Sequence, residues 1–381
     1  MDPTTAALAE YISNLTPTDI ECRQAIRDFI HAGADTTITF KNLTTLEPST
    51  PQLEESLKDQ QNDSGSSLLH LAASRGNFEC VQTLLQEAHL SWNILDSNNV
   101  SIGEVAKKAG FDSLYDRLVD EGVRTEFLLF VLGQRVVEDG TLLVNGVDVS
   151  KDNQDTLIAD HEPNKVVSNA SYLTRKLIYS DGRLLDSDGN AVMMGWEAPL
   201  MLKHAQAILP KPGLDVLNVG FGLGIIDEYL QELHPASHTI IEAHPDVYQH
   251  MIDKGWDKKP GVRILFGRWQ DVLENLETYD GIFFDTFGEY YDDLKDFHQV
   301  LPNHLREETG IYSFFNGLAG TNQFFHDVSC KMAQLDLAEI GLSTEFVELS
   351  VSELGDDVWQ NTKRAYWSLP IYRLPISRIE L

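Results

Sequence analysis

The residues best suited to chemistry sit where apolar runs end. Gly220-Phe221-Gly222-Leu223-Gly224 follows the run LDVLNVG (214–220) without a break and opens the stretch IIDEYLQELH, which begins Ile225-Ile226. Glycines at a strand-to-helix junction let the backbone approach a ligand closely, beside the positive end of a helix. Glu242 lies 22 residues past Gly220, in the next run, HTIIEAH (238–244), and is followed directly by Ala243 and His244. A carboxylate there can accept both hydroxyls of an adenosyl ribose; a plain surface acid at a strand end is the alternative. A dinucleotide loop wants GxGxxG, and here the third glycine comes one residue early, which favours S-adenosylmethionine over NAD.

Gly267-Arg268-Trp269-Gln270-Asp271 follows a third run, VRILFG, and the flat Trp269 suits stacking beside an adenine or filling an ordinary core. The fourth run ends Phe283-Phe284-Asp285-Thr286-Phe287, setting an acid at the carboxyl edge where doubly wound sheets keep ligands. Ahead of the first run, Val192-Met193-Met194-Gly195-Trp196-Glu197-Ala198-Pro199-Leu200-Met201 is expected to open a helix over that edge. Glu197 is then either a second acid for the site or a capping charge. Glu289, four residues past Asp285, is a third acid, for which a solvent-facing role is the plain alternative. Two converging carboxylates suit a guanidinium, which is planar, cationic and keeps its proton up to about pH 12. Methyl transfer from a sulfonium to such a group is an in-line displacement governed by positioning, and it requires neither a metal nor a nucleophilic cysteine.

These residues must be positioned by the elements around them. From Leu214 the chain alternates short β-rich runs with longer helical stretches, the pattern of a mostly parallel, doubly wound α/β sheet. The pattern breaks at the end: TEFVELSV (344–351) and AYWSLPIYRLPISRI (365–379) read as consecutive strands, so an antiparallel hairpin is expected to finish the sheet. Seven strands with that ending describe a class I methyltransferase sheet better than a dehydrogenase one.

The first third is organised differently. Ser67-Leu68-Leu69-His70-Leu71-Ala72-Ala73, then Gly76, Val81 and Leu84-Leu85, follows the ankyrin pattern, and Ser101, Ala106, Gly110 and Leu118 repeat it one period later. Phe29-Ile30-His31-Ala32-Gly33-Ala34-Asp35 resembles the tail of an earlier unit. Such units close a core only by stacking, so residues 1–124 are expected to form an α-helical ankyrin-like domain, which either recognises protein through its concave face or serves as a stabilising appendage. His70 is expected to bond neighbouring backbone at its turn. Residues 125–163 read as a capping segment and acidic linker, and 164–381 as the catalytic domain.

Composition narrows the partners. The 381 residues carry 29 basic and 59 acidic side chains, a formal net charge of -30. Through residue 124 there are 19 acids and 9 bases, so the acidity is spread over both halves. Such a field repels phosphate backbones and anionic lipid, which argues against direct nucleic-acid or membrane binding. The three cysteines, Cys22, Cys80 and Cys330, form no CxxC pair, which fits a reducing compartment. The most apolar run, EFLLFVLGQRVV (126–137), is short of the ~20 residues a spanning helix needs. The chain is therefore expected to be soluble and intracellular.

VMMGWEAPLM, FGLGIID, IIEAHP, GRWQDV and YDGIFFDTF together resemble guanidinoacetate methyltransferase and, more closely, the fungal protein arginine N-methyltransferase 2 family, whose members also carry an ankyrin-like N-terminus. The resemblance implies a type IV enzyme that methylates the internal δ-nitrogen of arginine in a large-subunit ribosomal protein, in the cytoplasm and also the nucleus. It implies S-adenosylmethionine contacts at Tyr172, Met193, Met201, the loop Gly220, Phe221, Gly222, Leu223, Gly224, Ile225 and Ile226, and at Glu242, Ala243, His244, Arg268, Trp269 and Asp285. It also places Glu197 and Asp285 on the guanidinium. One departure stands out: where the guanidinoacetate enzyme has a polar Thr-Ser step for its substrate's carboxylate, this chain has Asn316-Gly317-Leu318-Ala319. That change favours an arginine within a polypeptide over a free guanidino acid. The competing readings are a small-molecule guanidino methyltransferase and a non-catalytic ankyrin adaptor that binds S-adenosylmethionine.

Overall fold

In the computed structural model the repeat pattern becomes pairs of helices. The described residues are 2–37, 39–40, 66–88, 90–136, 143–144, 147–148, 172–287, 291–352, 354–355 and 357–380. The chain divides into two units, Met1–Leu157 with Asn322–Ser329, and Ile158–Thr321 with Cys330–Leu381.

The first unit holds α1 (Pro3–Ser13), α2 (Cys22–His31), α3 (Leu68–Ser74), α4 (Phe78–Glu87), α5 (Ile102–Lys108) and α6 (Asp112–Val136). Ser67 and Ser101 stand at equivalent helix starts, and each side chain enters a reciprocal cap. At the first cap the Ser67 N–H donates to His70 Nδ1 at 3.1 Å; at the second the Ser101 N–H donates to Glu104 Oε2 at 2.8 Å. Because His70 Nδ1 accepts, its proton sits on Nε2, which donates to the Val100 carbonyl at 3.0 Å. The ring is buried, and burial lowers its pKa, so it stays neutral. His70 therefore does structural work at the turn. α6 runs unbroken past residue 124, so the expected edge of the repeat domain falls inside a helix. Beyond Val136 only the strand pair Leu143–Val144 and Val147–Asp148 is described before Tyr172, and the rest of the acidic linker, like Glu289, lies outside the described residues.

The second unit begins with a three-stranded antiparallel sheet, β1 (Leu177–Ser180), β2 (Arg183–Asp186) and β3 (Ala191–Met194). The stretch expected to open a helix at residue 192 is thus extended first: Met193 pairs with Leu184, a turn of 3-10 helix covers Gly195–Glu197, and only then does α7 (Ala198–Ile208) start, with Pro199 in its first turn.

Next come β4 (Asp215–Val219), α8 (Ile225–Glu232), β5 (Ser237–Glu242), α9 (Pro245–Asp253), β6 (Val262–Phe266), α10 (Trp269–Val272), β7 (Gly281–Phe284) and α11 (Tyr291–His304). They are followed by β8 (Ile311–Phe314), α12 (Gln323–Glu339), β9 (Leu342–Ser350) and β10 (Ile371–Ile379). Among the described residues these strands form a seven-stranded sheet ordered β6-β5-β4-β7-β8-β10-β9. Its first five strands run parallel, and β10 is antiparallel to both β8 and β9.

Strand periodicity sends side chains to opposite faces. Val216 and Phe283 join one core with Met201 and Ile208 of α7 and Ile226 of α8. Leu217, Val219, Ile282 and Phe284 join the other core, with Phe297 of α11 and Leu337 of α12. Both faces are covered, so the central strands read as unbroken apolar runs. β10 starts at Ile371 rather than at 365, which leaves 365–370 as a loop outside the sheet.

Candidate active site

Strand order changes direction between β4 and β7: β4 continues through a helix to β5 on one side, while β7 leads to β8 on the other. Doubly wound sheets bind ligands at such a crevice, off the carboxyl ends of the strands. Val219 accepts from the Asp285 N–H at 2.9 Å, which holds the two strand ends together one step beyond β7. Gly220 then turns away with φ +95°, and a Cβ on it would lie 1.9 Å from the Asp285 carbonyl oxygen. Only glycine fits there. A Cβ on Gly222 (φ +54°) would lie 2.9 Å from the Sδ of Met193, which accepts the Leu223 N–H at 3.2 Å. Beneath the loop the buried Asn218 amide donates to the Gly220 carbonyl and to Asp227, each at 2.9 Å.

Glu242 is buried at the end of β5 and ties two loops together. Its Oε2 accepts the Phe221 N–H at 3.0 Å and its Oε1 accepts the His244 N–H at 2.6 Å. Burial raises its pKa, and backbone donors from His244, Phe221, Gly222 and Ala243 oppose that rise. His244 Nδ1 caps α9 by accepting from the Asp246 N–H, while its Nε2 donates to the Arg175 carbonyl at 3.0 Å. Tyr172 packs between His244 and Phe287, with ring centroids 4.9 and 4.8 Å away.

The remaining expected donor contacts divide. Ile225 and Ile226 form the first turn of α8, and Ile226 is core. Trp269 is 4% exposed and packs edge-on against Phe297 at 5.2 Å, but its Nε1 is buried without a hydrogen-bond partner among the described residues. Met201 is wholly buried in the α7 core, and Arg268 is paired with Asp271.

Two acids stand at the crevice. Glu197 is 2% exposed; its Oε1 accepts the Met194 N–H at 2.8 Å and the Tyr366 hydroxyl. Burial, and after it the charge of Asp285, pushes its carboxyl up to about 8. Asp285 is raised to about 7, by burial first and then by Asp227, and its Oδ2 is buried with no hydrogen-bond partner among the described residues. Neither acid has an ion-pair partner there. A carboxylate removed from water without a cation is costly, and a cation held between two such groups would offset that cost.

Tyr366 is not among the residues the sequence singles out. It comes from the loop ahead of β10 and lies 169 positions from Glu197, with no spacing that could signal the contact. A second unforeseen feature is a buried relay under the acids. The Asn316 N–H donates to the Tyr372 hydroxyl at 2.7 Å, and Tyr372 donates to His204 Nε2 at 2.8 Å. His204 Nδ1 then donates to Ser313 Oγ at 2.7 Å, and Ser313 donates to the Pro375 carbonyl. Burial holds His204 at about 3, so it remains neutral and the relay keeps one direction. Among the described residues no cluster of His, Cys, Asp and Glu is arranged to hold a metal, and no helix is long and apolar enough to cross a membrane.

A sheet whose strands, counted from β4, stand third, second, first, fourth, fifth, seventh and sixth, with a glycine loop after the first, defines a class I methyltransferase, whose methyl donor is S-adenosylmethionine. The family model for guanidinoacetate N-methyltransferase matches residues 176–325, and the ankyrin repeat model matches 64–97. Protein arginine N-methyltransferase 2 of Aspergillus oryzae is 42% identical over 320 residues, covering 78% of this chain and 77% of that one. The protein of the same name from Cryptococcus neoformans is 36% identical over 355 residues (84% and 88%), and that from Eremothecium gossypii 33% over 394 (92% and 93%). The chain belongs to the protein arginine N-methyltransferase 2 family.

Proposed function

We propose that this methyltransferase acts on the internal δ-nitrogen of an arginine within a protein, with Glu197 and Asp285 clamping the guanidinium. The observation that carries this reading is a pair of raised carboxyls, Glu197 buried and Asp285 half-buried with its Oδ2 out of water, that have no cation among the described residues. S-Adenosylmethionine supplies an electrophilic methyl group on a sulfonium. The cradle at Gly220 and Gly222, the carboxylate of Glu242 and the unpaired Trp269 Nε1 fit an adenosyl ligand on the β4–β6 side of the crevice. Tyr172, Met193 and His244 border that side, whereas Met201 and Arg268 take part only if core or ion-paired side chains move.

On the other side, charge-assisted bonds from the two acids fix the guanidinium plane and balance its charge. The arginine nitrogen forms the new N–C bond, the C–S electron pair leaves with sulfur, and the nitrogen gives up its proton. Asp285 would take that proton, a role supported by its Oδ2, which has no hydrogen-bond partner among the described residues. Both acids begin partly protonated near neutrality, so binding a guanidinium also displaces protons from them.

The substrate reading rests on two features. Asn316 spends its N–H on Tyr372 and its side-chain N–H groups on Arg373 and Cys330, so little remains there for a free carboxylate. The net charge of -30 suits a basic partner such as a large-subunit ribosomal protein, met in the cytoplasm or nucleus. Incubating the protein with S-adenosylmethionine and either a basic ribosomal protein fraction or guanidinoacetate separates the substrates, and fragmentation mass spectrometry locates the methyl group. Methylation of guanidinoacetate alone, or of terminal guanidine nitrogens alone, would overturn the reading.

A further inference from the structure

Beside Glu197 the second unit carries an aromatic group that the displacement itself does not need. Trp196, next to Glu197 in sequence, and Trp359 and Tyr366, from the loop between β9 and β10, are each half-buried rather than enclosed in a core. Their rings touch in all three pairings: Trp196 to Trp359 at 6.1 Å and 66°, Trp196 to Tyr366 at 5.9 Å and 36°, and Trp359 to Tyr366 at 4.9 Å and 79°. Trp367, buried, backs the group 6.4 Å from Trp196. Tyr366 joins this wall to the acids through its hydroxyl on Glu197.

Large aromatic rings left partly in water beside a site mark a binding surface rather than a core. Their chemistry chooses the occupant. Ring faces attract cations and stack well with a guanidinium or lie along an apolar stem, and they offer nothing to a carboxylate. The wall stands on the acid side of the crevice, away from β5 and β6, so it meets the acceptor and not the adenosyl group. Resting on the arginine reading above, we propose that Trp196, Trp359 and Tyr366 form a specificity wall that seats the side-chain stem of a peptidyl arginine. A short guanidino acid would bring its carboxylate against the rings and beside two acids, and is turned away.

Trp359 is the residue to test, because it touches neither acid in the hydrogen-bond network. Trp359→Ala and Trp359→Phe are compared with the unaltered enzyme for methylation of an arginine peptide and of guanidinoacetate, together with calorimetric affinity for the peptide and for S-adenosylmethionine. The expected result is a rise of about tenfold in the peptide KM and Kd for Trp359→Ala, kcat within about twofold, unchanged donor affinity and substantial rescue by Trp359→Phe. Unchanged donor affinity also shows that the variant is folded. An unchanged peptide Kd, or donor affinity that weakens in step, would overturn the wall. If the unaltered enzyme binds the peptide but never methylates it, the arginine reading fails, and the binding ratio among the three proteins still decides the wall.

Discussion

The backbone of Asp285 occupies the space that a side chain on Gly220 would need: a Cβ there would stand 1.9 Å from the Asp285 carbonyl oxygen. The loop proposed to hold the donor and the acid proposed to hold the acceptor therefore share one contact, and a single methyl group is expected to disturb both. Gly220→Ala also forces alanine to φ +95°. The expected outcome is loss of S-adenosylmethionine binding by calorimetry together with loss of turnover. Donor affinity retained in Gly220→Ala would show that the two strand ends are not so tightly joined.

The raised carboxyl of Glu197 sets a pH dependence whose sign is fixed. Its folded value, about 8, exceeds that of an ordinary glutamate, so the folded state holds an extra proton in between. The resulting stability is complete below about pH 4.3 and fades as pH rises through the folded value. Asp285 acts in the same direction. Melting temperatures of the ligand-free enzyme should therefore fall from about pH 5 to 8, and Glu197→Gln should flatten that slope while abolishing methylation. Superimposable profiles for the two proteins would contradict the buried, unpaired acid.

Tyr372→Phe removes one hydroxyl but strands two partners, the Asn316 N–H and His204 Nε2. Each buried group left unsatisfied costs roughly 1–3 kcal/mol. A domain of this size loses roughly 2–4 °C of Tm per kcal/mol, so scanning calorimetry should show a clear drop. The Phe variant also loosens the loop that begins at Asn316, leaving only its side-chain bonds to Arg373 and Cys330, and a higher substrate KM is expected with it. No change in Tm would mean that the relay is not closed.

His70→Ala should act on the first unit by the same logic, stranding the Ser67 N–H at a cost of roughly 1–3 kcal/mol, while the Val100 carbonyl keeps the Asp96 N–H at 3.0 Å. Hydrogen exchange across residues 68–108 should quicken. S-Adenosylmethionine affinity is the control, and a large fall in it would give His70 a role beyond its turn.

Charge steering predicts a split response to salt. For a basic protein substrate, kcat/KM should fall severalfold between about 50 and 300 mM salt, because the acidic field is screened over roughly a Debye length. Donor affinity should change little. A salt-independent kcat/KM would assign the charge of -30 to solubility alone.

Much of this was legible in the residues, for identifiable reasons. The runs ending at Gly220, Glu242 and Asp285 announce buried parallel strands because both faces are covered, and glycine at 220 is a backbone requirement that composition alone reveals. His70 and Ser67 declare their turn through local spacing. Tyr366 is silent because its partner is remote and the stretch from 365 has the composition of a strand. Pro370 and the aromatic cluster hold it in a loop instead. The start of α7 was displaced for a related reason: Val192-Met193-Met194 suits either a helix or a strand, and pairing with β2 decides it. Burial of Trp269 and Met201 in cores likewise depends on α7 and α11, which local pattern does not locate.

The hydrogen bond from Tyr366 to Glu197 has a consequence in time as well as space. The two residues are 169 positions apart. At translation rates of about 5–20 residues per second, roughly 8–35 s pass between the synthesis of one and of the other. A nascent chain thus carries its donor loop well before its acid is capped, and methyl transfer must wait for the last hairpin to close.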